Sequence, residues 1–325
     1  MGNLTVGVIT YQRPRKLARL FESLTDVSQP DPWTWAHTVV VDNDPAGSAK
    51  PVVDEWLDRL PGLTYVAEQN TGLSVARNRA VDASIEAGSA WLAFIDDDEE
   101  ASPQWLAELA GTQIATSADA VVGNTTFAFE ASPPAWLADS GVYDFTPDSV
   151  DQADTEYVST NNLLLRTALV EDLGPLFDDR FSKTGGEDHH LGHRLVRGEF
   201  KLVQSTGGMT TEWVPSDRMQ LGTVVKRLQR DGNTLAIVDL AFATSDTERN
   251  KIRLHHLLEG LAKLPLGAAR AVLYAGKQGQ SGVLRGLKTS LIGIGQIRAA
   301  AGQDVLGYHV AAGNIAANKA HDHPS

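Results

Sequence analysis

Cysteine is absent from all 325 residues, which excludes disulfides and thiolate metal sites and fits a reducing compartment. No stretch reaches the roughly 18–20 apolar residues that cross a bilayer. No basic leader stands before the strand-like Thr5-Val6-Gly7-Val8-Ile9. The expectation from these two absences is a soluble, cytoplasmic body. Positive charge is in deficit. Only 28 Lys and Arg stand against 41 Asp and Glu, a net charge of −13, which argues against general nucleic-acid binding. A nucleotide is not excluded, because a divalent cation can bridge carboxylates to phosphates. Acids are missing in one place only. Between Glu259 and Asp304 there is none, while Lys263, Arg270, Lys277, Arg285, Lys288 and Arg298 punctuate a Leu-, Ile-, Val- and Ala-rich segment.

What is present starts with a junction. The apolar run Ala90-Trp91-Leu92-Ala93-Phe94-Ile95 leads directly into five acids, Asp96, Asp97, Asp98, Glu99 and Glu100. The run reads as a buried strand, and crowded carboxylates at its end repel one another unless a cation is near. In an open α/β sheet that end is also where ligands bind. Strand alternation would point Asp96 and Asp98 the same way, toward a shared Mg²⁺ or Mn²⁺ with oxygen ligands. A solvated acidic turn is the plainer alternative, and it is the reading given to Glu99 and Glu100.

Hydrophobic spacing supplies the frame. Strands are expected at Thr5–Thr10, His37–Asp42, Leu63–Ala67, Ala90–Ile95, Asp119–Phe129, Val158–Leu165 and Phe200–Gln204. Helices are expected at Pro14–Leu24, Val52–Leu60, Ser74–Ala87, from Gln104, at Glu187–Arg197, and at Leu221–Asp231 ending at Gly232. Ala131–Gln152 reads as a loop or lid and Ala311–Ser325 as a frayed end. Alternating strands and helices predict a doubly wound, mostly parallel sheet.

Several strand ends carry polar clusters. Thr10, Tyr11 and Arg13 follow the first strand, and Asp42, Asn43 and Asp44 the second. In Asn70-Thr71-Gly72-Leu73-Ser74-Val75-Ala76-Arg77-Asn78, Gly72 allows close backbone approach, the helix start favours anions, and Arg77 can reach a phosphate or an acid. In Gly185-Gly186-Glu187-Asp188-His189-His190, a mobile loop can deliver a carboxylate as general base. The two histidines diverge by about 100° on a helix, so a shared ion is disfavoured.

Taken in order, these pieces resemble glycosyltransferase family 2, the inverting GT-A enzymes. The resemblance rests on Val8 to Pro14, Val40 to Asn43, Asn70 to Asn78 and Phe94 to Glu99. It continues through Ser159-Thr160-Asn161-Asn162-Leu163-Leu164-Leu165-Arg166 and Gly185 to Asp188. Val214-Pro215-Ser216-Asp217-Arg218 and Arg227 to Gly232 complete it. It implies a GT-A domain over 1–235, with a nucleotide-binding half (1–100) and an acceptor half (101–235). Residues 236–325 follow as a helical, basic, amphipathic region. It also implies roles. Thr10, Tyr11 and Arg13 line the nucleotide pocket, Asp42 meets the base, and Asn70 and Arg77 support the nucleotide and diphosphate. Asp96 and Asp97 hold the ribose and sugar side of the donor. Asp98 binds Mg²⁺ or Mn²⁺, and Asp188 is the general base for an acceptor hydroxyl on a sugar, glycolipid or small molecule. Many members place a histidine near the metal where this chain has Glu212, so Glu212 enters as a second candidate ligand.

The implied donor is a nucleotide-diphospho-sugar, with UDP as the commonest carrier. A sugar-1-phosphate nucleotidyltransferase is the rival reading. It calls for a glycine-rich phosphate loop after the first strand, and Thr10–Leu17 has no glycine. A non-catalytic sugar-nucleotide-binding protein is the third reading, opposed by intact Asp98 and Asp188. The basic C-terminal region has two readings that remain open: peripheral contact with the inner face of a membrane, or a helical appendage packed on protein.

Overall fold

In the computed structural model, which describes residues 2–143 and 150–305, the alternating pattern becomes one eight-stranded sheet with helices. Ala311–Ser325, and residues 144–149 of the expected lid, lie outside the described residues. β1 (Asn3–Thr10), β2 (Thr34–Asp42), β3 (Leu63–Ala67) and β4 (Trp91–Asp96) form a parallel half in the order β3-β2-β1-β4. The other half is not parallel. β7 (Asn162–Arg166) runs antiparallel to β4 and to β6 (Ala120–Phe129), and β5 (Glu99–Ala101) runs antiparallel to β8 (Leu202–Val214). The sheet is therefore mixed rather than mostly parallel.

Each face of the sheet is covered as the periodicity requires. Leu4, Val6 and Val8 alternate along β1 into one core, where Leu17, Leu20, Phe21 and Leu24 of α1 (Pro14–Leu24) pack with Trp105 and Leu109 of α4 (Trp105–Thr116). The opposite face buries Val39, Val41, Leu92 and Phe94 against Ala76 and Ala80 of α3 (Leu73–Glu86) and Leu191 and Leu195 of α7 (Glu187–Arg197). Two short helices, α2 (Lys50–Trp56) and α6 (Leu169–Leu173), complete this set. Register then fixes the site. Thr10 pairs with Asp42 and Ile9 with Asp96, so three strand ends carrying polar groups finish level on one sheet edge.

Three of the expectations change for a packing reason. β8 continues ten residues past Gln204 to Val214. Gly207 and Gly208 let α4 lie against the strand. A Cβ on Gly208 would sit 2.7 Å from Leu109 Cδ2. Glu99 is not a solvated approach to a helix. It is 1% exposed, in β5, directly opposite Glu212 of β8. The helix from Leu221 does not stop at Gly232; it runs to Ala241 as α8.

Contacts divide the described residues into two units: 2–128, 150–182 and 187–213 in one, and 129–143, 183–186 and 214–305 in the other. The second holds α5 (Ala135–Ala138), α8 (Leu221–Ala241) and α9 (Asp246–Ala300). The expected domain end at 235 falls inside α8. α9 is broken at Gly279 (φ 60°, ψ −133°) into limbs 246–278 and 280–300. The limbs fold back on each other where glycines allow backbones to meet. A Cβ on Gly286 would lie 2.1 Å from Ala271 N, and one on Gly260 2.6 Å from Gly293 O. α8 meets the second limb in the same way, at Gly232 over Ile292 O and Gly295 over Gln229 O, both at 1.9 Å. These atoms are backbone and cannot rotate away. Gly295→Ala should therefore destabilise the protein by about 1–3 kcal/mol through overpacking, more than the ~1 kcal/mol of helix propensity that Ala adds. Gly276→Ala, with nothing within 4 Å, should gain stability instead. Urea denaturation of the two variants tests this contrast; equal midpoints would refute it.

Candidate active site

The acids at the end of β4 separate into two directions. β4 ends at Asp96, and residues 97 and 98 form a turn, so the expected alternation of Asp96 with Asp98 does not extend that far. Asp97 and Asp98 instead share Arg13, whose Nη1 donates to Asp97 Oδ1 at 2.9 Å and to Asp98 Oδ2 at 3.2 Å. Lys16 Nζ donates to Asp98 Oδ2 at 3.2 Å, and Thr10 Oγ1 to Asp97 Oδ2 at 2.7 Å. Burial works against the Arg13 charge, but Asp97 and Asp98 outweigh it and hold the guanidinium above its ordinary value.

Asp96 faces the other way, with Oδ1 3.8 Å from Arg77 Nη2. Loss of surrounding water pushes its carboxyl up to about 7; Arg77 opposes the rise, and Asp98, Asp97 and Glu212 add to it. Its side chain is still 39% exposed, and water on that open side moderates the rise. Asp97 is raised by burial against the pull of Arg13. Glu99 is raised well above the usual range, by burial first and then by Asp96 and Glu212. Asn161 Nδ2 donates to Glu99 Oε1 at 2.6 Å, and Glu99 Oε2 is buried with no hydrogen-bond partner.

Asp42 is fully buried at the end of β2. Its Oδ1 accepts from Asp44 N at 3.1 Å; its Oδ2 accepts from Ala49 N at 2.8 Å and Tyr65 Oη at 3.2 Å. Those donors occupy both oxygens, and the carboxylate as it stands shapes the turn 43–49. Asn43 holds the neighbouring segment: Nδ2 donates to Asn70 O at 2.8 Å, and Oδ1 accepts from Gly72 N at 2.8 Å. Asn70 is exposed at that rim, and Tyr11 is half-buried between β1 and α1.

The start of α3 holds the segment that leads to Asp188. A Cβ on Gly72 would lie 2.9 Å from Ser182 Cβ, so only glycine permits that approach. Ser74 Oγ donates to Asp178 O at 2.9 Å, and Asn78 exchanges two bonds with the Phe177 backbone, at 2.7 and 2.9 Å. Arg77, 5% exposed, donates through Nη1 to the buried Glu187 Oε1. Burial opposes its charge, and Glu187, Asp96 and Asp188 together raise it. With Glu187 held inward, Asp188 stays half-buried in the first turn of α7, its Oδ1 accepting the His189 N–H at 2.7 Å. The histidines diverge. His189 stacks edge-on against Tyr157 at 5.7 Å. His190 lies on Phe181 at 4.9 Å, and burial pushes it down to about 4.

Among the described residues no three His, Cys, Asp or Glu side chains converge on one metal position. The donors present are nevertheless all hard oxygens: Asp98, Asp96, Glu99 and Glu212. Burial first, and then repulsion among these acids, raises Asp96 and Glu99; that repulsion and the unpartnered Glu99 Oε2 are what a cation would relieve. Such a set suits Mg²⁺ or Mn²⁺ held by one or two carboxylates and completed by substrate phosphate and water, not a closed protein cage.

Sequence reasoning assigned no role to Lys16, Asn43, Asn161 or Glu187, and misread Glu99. Lys16 carried one signal, its place three residues after Arg13 at the start of α1. Asn161 and Glu187 become legible only through partners 62 and 110 residues away.

The family model described as "Glycosyl transferase family 2" matches residues 5–174. The chain is 31% identical over 233 residues to succinoglycan biosynthesis protein ExoM of Rhizobium meliloti (strain 1021), covering 71% of this chain and 74% of that protein. Mannosyltransferase PcManGT from Pyrobaculum calidifontis, solved with GDP-Man and Mn²⁺, matches in fold with a TM-score of 0.59 at 18% identity, over 92% of this chain and 86% of that one. S. aureus TarS 1-349 in complex with UDP-GlcNAc matches with a TM-score of 0.50 at 14% identity, over 93% and 92%. The chain spans 54% of a longer TarS chain. At these identities the two solved structures speak for the fold, a GT-A-like arrangement.

Proposed function

Since this chain belongs to glycosyl transferase family 2 and is a glycosyltransferase, we propose that it moves a sugar, with inversion, from a nucleoside-diphospho-sugar to an acceptor hydroxyl. The observation that carries this reading is the ion pair joining its two acidic groups. Arg77 binds Glu187, the neighbour of Asp188, and lies 3.8 Å from Asp96. The donor-side acids at the end of β4 and the candidate base on α7 are thereby tied into one site.

Asp188 accepts the proton of the acceptor hydroxyl. That oxygen attacks the anomeric carbon on the face opposite the departing nucleoside diphosphate, so the bond to the phosphate oxygen breaks as the new glycosidic bond forms. Thr10, Tyr11, Arg13 and Asn70 line the nucleotide side, with Asp42 shaping its base-side turn. Asp96 and Asp97 hold the ribose and sugar side, and Arg77 braces the diphosphate side. A Mg²⁺ or Mn²⁺ held at Asp98, with Glu212 as second candidate ligand, would supply charge that stabilises the leaving diphosphate. The acceptor class is a growing polysaccharide or glycolipid, in keeping with the succinoglycan role in the name of the relative. The nucleotidyltransferase reading has no support from the family assignment.

A thermal-shift screen of UDP-, GDP- and dTDP-sugars, each with and without Mn²⁺, tests the proposal. One nucleotide class should stabilise the protein, and only when metal is present. Stabilisation of equal size without metal would remove the metal from the scheme, and no stabilisation by any of them would remove the donor.

A further inference from the structure

The first limb of α9 carries a hydrophobic stripe left exposed among the described residues. Leu254, Leu258, Leu261 and Val272 recur at helical spacing, with Leu273 beside them. They are 55, 59, 47, 76 and 68% exposed. The opposite side of the same limb is committed. His256, Gly260, Gly267 and Ala271 are buried there, and His256 Nε2 lies 2.8 Å from Asp239 Oδ2 of α8. The limb is thus fixed with its apolar side outward. From Leu254 to Leu273 the face runs about 28 Å along the helix, past Pro265, and exposed patches of this kind mark interaction surfaces.

Charge selects the occupant. Residues 249–300 hold nine Lys and Arg and a single acid, Glu259, in a chain whose net charge is −13. That acid is already paired with Lys263 at 2.9 Å. A symmetric contact with a second copy would press two such cationic hairpins together, because a two-fold interface sets the same patch against itself. An anionic lipid surface reverses the sign of that interaction. Exposed Lys251, Arg253 and Lys277 have stems long enough to lie along the apolar stripe with their heads among phosphates. No described helix is long and apolar enough to cross a membrane, so the geometry is that of a helix lying in the interface plane.

We propose that the first limb of α9 is a docking surface for an anionic lipid bilayer. The inference does not depend on the glycosyl-transfer reading. Co-sedimentation of the full chain with vesicles of phosphatidylcholine, alone or mixed with phosphatidylglycerol, tests it. Binding should be at least about tenfold stronger to the anionic vesicles and should fall as salt rises. The variant L258Q/L261Q/V272Q/L273Q, altered only at exposed positions, should lose about tenfold in binding while keeping its circular dichroism. K251Q/K277Q should lose about fivefold for each cation removed. Failure of the wild-type chain to bind anionic vesicles overturns the proposal. So does wild-type binding by the leucine variant, or a dimer in sedimentation velocity that the leucine variant dissociates while vesicles stay unbound.

Discussion

Asp188→Asn should lower kcat by about 10²–10⁴-fold, the range that a positioned general base contributes, while donor binding stays within about twofold of the wild type. The substitution keeps the oxygen that accepts the His189 N–H and removes only the ability to hold a proton. Stability should change little, because Asp188 is half-buried and takes no part in the buried ion pair next to it. Glu187→Gln is the informative contrast. It takes the closest charged partner from the buried Arg77 and leaves Asp96 at 3.8 Å, and breaking such a pair destabilises a protein by up to about 3–5 kcal/mol. A lower melting temperature with Glu187→Gln, and an unchanged one with Asp188→Asn, would separate scaffold from chemistry. If Asp188→Asn turns over the donor within tenfold of the wild type, the base is another group.

Asp98→Asn should cost about 10²–10³ in kcat, the loss seen when a preorganised charge at a leaving group is removed. It should also abolish the metal-dependent part of the thermal shift given by the donor. Both effects follow from one role, neutralising the nucleoside diphosphate through a divalent cation. The nucleotide pocket itself should survive, because Arg13 keeps its bond to Asp97 and Thr10 keeps its own. A variant that still shows the full Mn²⁺-dependent shift would move the metal to other oxygens, with Glu212 and Glu99 next in line across the β5–β8 pair.

Much of the parallel half of the sheet was legible because it is built locally. Leu63–Ala67, Pro14–Leu24 and Glu187–Arg197 fall where the spacing of apolar residues puts them. The errors have a common origin in neighbours distant along the chain. Gly232 read as a break, yet it sits where another backbone comes too close for a Cβ, as Gly207 and Gly208 sit where side chains of α4 do. Glu99 read as solvated because it follows three consecutive acids, Asp96, Asp97 and Asp98, with no apolar rhythm. It is buried because β8 pairs across from it. Asp42, expected beside the nucleotide base, has a second task that depends on folding: its oxygens also accept from Asp44 N, Ala49 N and Tyr65 Oη.

The sequence by itself determined that a strand ends in crowded carboxylates beside other polar strand ends, and that the C-terminal region is cationic. Both are properties of neighbouring residues, and neighbours are fixed by the chain. Only the tertiary structure decided which acid pairs with which cation. Asp97 and Asp98 are drawn to Arg13, while Asp96 faces Arg77. Glu187 is drawn inward by Arg77, which leaves Asp188 toward solvent. The tertiary structure likewise decided that Leu254, Leu258, Leu261 and Leu273 of α9 face outward, because its glycines commit the other side to close backbone contact. Electrostatic pairing and close packing depend on distances in space, and those exist only once the chain has folded.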